Sequence, residues 1–407
     1  MGGLTATIPT PRVISLGPSG GRPRRRTIVL IVTVAITALV ASTLVSTAAY
    51  LRLPAPTGPH AVGRLSTRLA DPDRAEPRDP GGGARQVGIV AWYPSVAGTG
   101  RPAGYLPGLD RLRDGLVASG QLTAPVVAAL GAVSTSVGEG ADPLPSDGGF
   151  PVVLLSPGNA TNVATYAILA EELASRGYVV IGVDHPYQVA AVDLGEAGVA
   201  VYEGDLPRDG LEGAVARRIA ERRVDLDLVL DRLAGDALGS GPLVGALDLS
   251  RVAVVGHSNG GIAAAELCAV DGRVDACVNI DGQAAGGPFA SVPSFVPPGR
   301  PFLFLTKERD LHVRLRETFE AGGRGTYRVV LPVAAHADFA DGARFDPRLT
   351  PMARSADAVQ RLERDAVADF LDHELRGLPG ATFGSLDAPT DVYIEAYPLG
   401  DQPTLPG

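Results

Sequence analysis

The segment Arg251-Val252-Ala253-Val254-Val255-Gly256-His257-Ser258-Asn259-Gly260-Gly261 joins an apolar, β-prone run to a Gly-x-Ser-x-Gly turn. A helix-forming stretch, Ile262 to Val270, follows. This is the layout of a nucleophile elbow. A serine hydroxyl is a poor nucleophile at neutral pH. It must sit in a strained turn where a histidine can reach it and backbone N–H groups can receive the oxyanion. Gly256 and Gly260 suit that turn, since side chains there would collide across it. Five residues alone would also fit a plain strand-turn-helix; the flanking strand and helix favour the elbow.

A sheet that presents its triad in the chain order serine, acid, histidine needs its base after Ser258. The choices are His312, His336 and His373. His336 follows the last expected strand, in Ala334-Ala335-His336-Ala337-Asp338-Phe339, where a loop can carry an imidazole over the elbow; the other two fall on expected helices. The acid must accept a hydrogen bond from one ring nitrogen, so that the other can take the serine proton. Asp281 and Asp310 both follow strands, and position does not separate them. Either could instead cap the next helix or turn. The oxyanion donors should be the N–H of Asn259 and one from the loop Ser156-Pro157-Gly158-Asn159. Pro157 has no N–H, so the second comes from Gly158 or Asn159.

The elements needed to position these groups alternate between strand and helix. Strands are expected at Val62 to Leu69, Gln86 to Tyr93, Pro151 to Leu155, Tyr178 to Val183, Arg251 to Val255, Val274 to Ile280, Pro301 to Thr306 and Tyr327 to Leu331. Helical periodicity marks Thr161 to Arg176, Leu211 to Leu233, Asn259 to Val270, Leu311 to Ala321 and Ala356 to Leu375. The alternation predicts an α/β fold with a mostly parallel eight-stranded sheet flanked by helices, and the elbow at a strand end makes the α/β-hydrolase fold the expected one. Arg78-Asp79-Pro80-Gly81-Gly82-Gly83 reads as a reversal between the first two strands. Pro94 to Gly149 and His185 to Arg208, rich in Gly, Pro and small residues, read either as pocket cover or as solvated loops.

The chain has 407 residues, 45% hydrophobic and 20% charged, and a net charge of −9. That charge, with no basic stripe beyond the first residues, argues against nucleic acid as a partner. Lys307 is the only lysine, a bias toward arginine. No Cys-His metal spacing and no Gly-rich phosphate loop is present, so neither metal nor organic cofactor is expected. Ile28 to Ala49 is an uncharged, mostly apolar run preceded by Arg22, Arg24, Arg25 and Arg26. As a helix it would reach about 33 Å, enough to cross a bilayer core. The arginines would hold the amino terminus in the cytoplasm and export the remainder. The expected organisation is a cytoplasmic basic segment (1–26), a transmembrane signal-anchor (27–49), a linker (50–58), a catalytic domain (59–377) and an extended tail (378–407). The protein would then be a single-pass cell-membrane protein with its catalytic domain outside the cytoplasm. Secretion after signal cleavage is the alternative, because Ser46-Thr47-Ala48 could serve a peptidase. Cys268 and Cys277 could pair in an oxidising compartment or remain two small buried residues.

The chain resembles the plasma-type (isoform II) platelet-activating-factor acetylhydrolases and their bacterial relatives from about Leu53 to Leu375. The likeness rests on Leu53-Pro54-Ala55-Pro56-Thr57-Gly58-Pro59, Trp92-Tyr93-Pro94, Tyr105-Leu106-Pro107-Gly108, the elbow, Asn279-Ile280-Asp281-Gly282 and His336-Ala337-Asp338-Phe339. It implies Asp281 as the acid, His336 as the base and Asn159 as the second oxyanion donor. Pro157-Gly158 departs from the His-Gly that members often carry there. Cutinase-like hydrolases in some alignments place the acid one strand later, where Glu308-Arg309-Asp310 would suit.

Taken together, the residues and the resemblance predict a serine esterase that hydrolyses short-acyl, (phospho)lipid-type esters through an acyl-enzyme. The substrate would be a small-molecule ester or lipid, and the membrane would be met through the N-terminal helix. The rival expectations are a cutinase-like or lipase-like carboxylesterase and a non-catalytic, membrane-tethered binding protein on the same fold.

Overall fold

Runs such as Val152-Val153-Leu154-Leu155 and Val252-Ala253-Val254-Val255 cannot leave one face in water and so form strands buried on both sides. A computed structural model of the chain describes residues 52–79, 81–204, 211–235, 243–282, 299–307, 325–345, 353–378 and 392–397, with positions 319 and 322. All belong to one unit, Tyr50–Gly407. The strands among them are β1 (Ala61–Ala75), β2 (Ala84–Ser95), β3 (Arg101–Gly104), β4 (Ser134–Glu139), β5 (Phe150–Ser156), β6 (Val179–Asp184), β7 (Ala191–Asp193), β8 (Val199–Val201), β9 (Leu247–His257), β10 (Ala276–Ile280), β11 (Phe302–Thr306), β12 (Thr326–Val330) and β13 (Tyr393–Tyr397). The helices are α1 (Leu109–Ala118), α2 (Ala124–Leu130), α3 (Ala167–Ser175), α4 (Leu211–Ala234), α5 (Asn259–Val270), α6 (Gly342–Phe345) and α7 (Ala353–Arg376).

Eleven strands form one sheet in the order β13-β12-β11-β10-β9-β5-β6-β2-β1-β4-β3, and β7 pairs with β8 apart from it. The run from β6 through β5, β9, β10 and β11 to β12 is parallel throughout. Its register decides where chemistry can occur. Ser156 lies opposite Gly256, His257 opposite Ile280, and Ile280 opposite Leu305. The residues that leave these strands therefore emerge side by side at one carboxyl edge, where open α/β sheets bind ligands. On one face Leu169 and Leu173 of α3 share a buried core with Val359, Leu362 and Phe370 of α7. On the other, Ile219 and Leu226 of α4 pack with Ile262 and Leu267 of α5. The result is a mixed α/β fold of three layers.

The expectation of eight strands is corrected to eleven. Two of the additional strands, β3 and β4, arise inside Pro94 to Gly149, where abundant Gly and Pro mask short strands. The same segment holds α1 and α2, the latter begun by Pro125 in its first turn, a position that needs no N–H. The third, β13, comes from the expected tail and pairs antiparallel with β12. Cys268 of α5 and Cys277 of β10 form a disulfide, with Cα atoms 6.3 Å apart. The expected helix Leu311 to Ala321 lies almost entirely outside the described residues, and so does the expected transmembrane segment 27–49. Among the described residues no helix is long and apolar enough to cross a membrane.

Candidate active site

At the end of β9 the backbone turns sharply, and Ser258 takes φ 55° and ψ −126°, a conformation that L-residues avoid unless the surroundings impose it. A Cβ on Gly256 would come 2.2 Å from the Gly260 carbonyl oxygen, and one on Gly260 would come 2.3 Å from that of Ser156. Both positions thus exclude any side chain. The Ser258 N–H donates to the Ile280 carbonyl at 2.9 Å, tying the elbow to the neighbouring strand.

Asp281 follows β10 directly, with φ 46°. Asn279 bridges the turn after it, accepting the Gly282 N–H at 2.9 Å and donating to the Gly282 carbonyl at 3.1 Å. His336 opens a short 3-10 turn, His336–Phe339, beyond β12. The Asp338 carboxylate steadies that turn by accepting the Ala335 N–H at 2.9 Å.

The structure brings the three residues together. Nε2 of His336 lies 3.0 Å from the Ser258 Oγ, and Nδ1 lies 2.6 Å from Oδ2 of Asp281. An ionised carboxylate only accepts, so Nδ1 carries the proton and Nε2 is left to accept from the serine. Asp281 is 1% exposed. Burial works to raise its pKa, but the hydrogen bond and charge of His336 and the charge of Lys307 outweigh it and hold the carboxyl below its usual value. The Lys307 ammonium is 3.0 Å from Oδ2, and its backbone N–H and the Thr306 hydroxyl each donate to Oδ1 at 3.3 Å.

Of the other candidates, Asp310 and His312 lie outside the described residues. His373 sits on α7, its Nδ1 3.3 Å from the Leu378 carbonyl and apart from this cluster. Asn259 is the first residue of α5, where helix geometry leaves its N–H without an intrahelical acceptor. Asn159 borders the same cavity as Ser258 and His336. That cavity, about 250 Å³, is walled by Leu116, Leu122, Val126 and Leu130 from the α1–α2 segment and by Tyr105 and Phe345. Of the two readings of Pro94 to Gly149, the structure therefore favours pocket cover. Among the described residues that line the cavity none is Asp, Glu, Lys or Arg.

Sequence reasoning missed three contributors. Lys307 had one signal, its status as the only lysine in the chain. Tyr166 carried none: its hydroxyl accepts the Gly158 N–H at 2.9 Å and contacts Nδ1 of His257 at 2.7 Å. Burial, and then His336 nearby, pushes the His257 imidazole down to about 3, so at neutral pH it meets the tyrosine as an uncharged ring. The third is a second Ser-His-Asp line. Ser156 Oγ is 3.0 Å from Nε2 of His185, whose Nδ1 is 2.9 Å from Asp225. All three residues are completely buried, so no substrate reaches that serine. Among the described residues no group of three or more His, Cys, Asp or Glu could hold a metal ion.

A serine, an imidazole and a buried carboxylate in line at the carboxyl edge of a parallel sheet make a constellation suited to nucleophilic acyl transfer. Residues 47–195 match the family model described as platelet-activating factor acetylhydrolase, isoform II, the family that the sequence resembles. A probable 1-alkyl-2-acetylglycerophosphocholine esterase of Arthroderma benhamiae is 32% identical over 143 residues, which is 34% of this chain and 33% of the relative. The chain thus matches about a third of that curated relative's length. Among solved structures, a ferulic acid esterase from Streptomyces cinnamoneus aligns with a TM-score of 0.63 and 29% identity, over 84% of this chain and 98% of that one. The family match includes Asn159 and ends before Ser258, Asp281 and His336.

Proposed function

We propose that the protein is a serine carboxylic-ester hydrolase of the α/β-hydrolase fold, acting on short-acyl, lipid-type esters. The observation that carries this reading is the unbroken line from Ser258 Oγ through His336 to the buried Asp281 carboxylate, with steps of 3.0 and 2.6 Å. Ser258 attacks the ester carbonyl while Nε2 of His336 takes its proton. The resulting imidazolium is stabilised by Asp281, and the tetrahedral oxyanion is received by the N–H groups of Asn159 and Asn259. Collapse expels the alcohol, which leaves with the proton from His336. Water then repeats the sequence on the acyl-enzyme and frees the acid. None of these steps needs a metal or an organic cofactor.

The lipid-ester preference rests on the family match and on the largely apolar cavity beside Ser258, whose described lining residues include no Asp, Glu, Lys or Arg. The ferulic acid esterase likeness, over 84% of this chain, supports a second reading, a carboxylesterase for larger acyl groups. Labelling with a serine-directed fluorophosphonate tests the nucleophile: wild type should react and Ser258→Ala should not. Rates on p-nitrophenyl acetate, p-nitrophenyl palmitate, a feruloyl ester and an sn-2-acetyl phospholipid separate the readings. Acetyl esters should lead, and a lead for palmitate or ferulate would favour the second. The proposal includes an exported domain tethered by residues 27–49. A disulfide between Cys268 and Cys277 suits an oxidising compartment. Activity should sediment with membranes and be released by deleting residues 1–49.

A further inference from the structure

One face of α4 follows the oxyanion loop residue by residue. Arg218, Arg222 and Asp225 are spaced four and three apart, so they project from the same side of the helix. Arg218 donates through Nη1 to the side-chain oxygen of Asn159 at 3.1 Å, and the Asn159 amide in turn donates to the Tyr202 hydroxyl at 2.7 Å. Arg222 donates to the Pro157 carbonyl at 2.6 Å and, at a longer 3.3 Å, to the Gly158 carbonyl. Asp225 holds His185, which holds the Ser156 hydroxyl. Residues 156 to 159 are thus each tied, directly or through one side chain, to successive positions of a single helix.

Arg222 has the most unusual environment of the three. It is wholly buried, and its remaining hydrogen bonds go to the side-chain and backbone oxygens of Gln188. These acceptors are all uncharged, and the Asp225 and Asp184 carboxylates act on it only through space. Burial lowers its pKa to about 10, which leaves it cationic at neutral pH. A cation kept in the interior against uncharged oxygens is costly, and such groups persist where something else is gained. The Gly158 carbonyl belongs to the same peptide unit as the Asn159 N–H. Positive charge at one end of that unit fixes its plane and makes the N–H at the other end a stronger donor.

We propose that Arg222 is a positioning residue for turnover: from behind the loop its guanidinium orients and polarises the Gly158–Asn159 peptide, so that the Asn159 N–H is aimed where the oxyanion forms. The proposal rests on the reading of Asn159 as an oxyanion donor. It also accounts for Pro157 in this loop, because the position contributes a carbonyl, which proline retains, and no N–H.

A donor that acts only in the transition state changes kcat and leaves KM in place. Arg222→Lys, which keeps the charge and loses the fork, should lower kcat on p-nitrophenyl acetate about 10- to 100-fold with KM within about threefold, by comparison with loss of an oxyanion donor. Affinity for a trifluoromethyl ketone, whose adduct with Ser258 carries the oxyanion, should fall in proportion to kcat/KM. A folded Arg222→Lys with kcat and ketone affinity within about twofold of wild type overturns the proposal. Should that variant not fold, Gln188→Leu, which removes the side-chain oxygen that accepts from Arg222 Nε and aims its fork, decides in its place: a drop of about threefold or more in both quantities supports the proposal, and no change overturns it. Absence of Ser258-dependent hydrolysis in wild type would remove the esterase reading and this inference together. Normal wild-type turnover with unaffected variants would remove the inference alone.

Discussion

Asp281 accepts from both the Lys307 ammonium and the His336 imidazole, and each contact makes a prediction. Replacing it by Asn keeps the shape but reverses the tautomer preference of His336. kcat should fall about 10³- to 10⁴-fold, measured on p-nitrophenyl acetate, while Asp310→Asn stays near wild type. A larger loss at Asp310 would move the acid one strand later. Lys307→Met acts in a different way. It leaves the Asp281 charge to the imidazolium alone, which favours the protonated, inactive form, so the acid limb of the kcat/KM profile should move to higher pH. An unmoved limb would make Lys307 only a structural partner. Of the residues the structure brings together, Ser258 and His336 were legible because each follows a strand with a local signature, whereas Asp281, which position did not separate from Asp310, came from the family resemblance. Lys307, Tyr166 and Arg222 were not, because their meaning depends on which carboxylate, hydroxyl or carbonyl the fold brings beside them.

At the scale of elements, α1 and α2 determine how much of an acyl chain fits. Val126 of α2 is buried and faces the cavity beside Ser258. Val126→Phe should fill part of that space and lower the rate on octanoyl relative to acetyl p-nitrophenyl esters by about tenfold, since overpacking penalises the longer chain first. Equal loss on both esters would mean that the chain lies elsewhere. The parallel strands and the helices α4, α5 and α7 were legible from apolar runs and from 3.6-residue periodicity. Strands β3 and β4 were not. They are four and six residues long, in a segment rich in Gly and Pro, and are held by pairing to β1 and to each other. Local sequence says little where distant partners make the strand.

Across the whole molecule, burial divides the titratable groups into two opposing sets. Glu171 is pushed up to about 8 by burial and by the Asp341 charge, and Asp341 to about 7, chiefly by burial. Native carboxyls of this kind keep protons that the unfolded chain has released, so stability declines as pH rises from about 4.5 toward 8. Burial lowers His185 to about 4 and His257 to about 3, so these two add stability as pH rises toward 6.5 and contribute nothing further above it. The melting temperature should therefore fall between pH 6.5 and 8, and Glu171→Gln should flatten that slope; an unchanged slope would assign the decline to other groups. The three-layer α/β class was legible from the order of elements. The sheet's far boundary was not, because β13 is a five-residue β-prone run, Tyr393–Tyr397, set in a stretch rich in Gly, Pro and polar residues that reads as a tail, and it closes the open side of β12. A chain cut after residue 378 would leave the rim of β12 with its backbone groups facing water, a template for another copy. Such a truncated protein should sediment as larger species than the full chain. Strand β13 then serves as a guard against self-association, and a fusion partner attached beyond it needs a spacer long enough to let the guard stay in place.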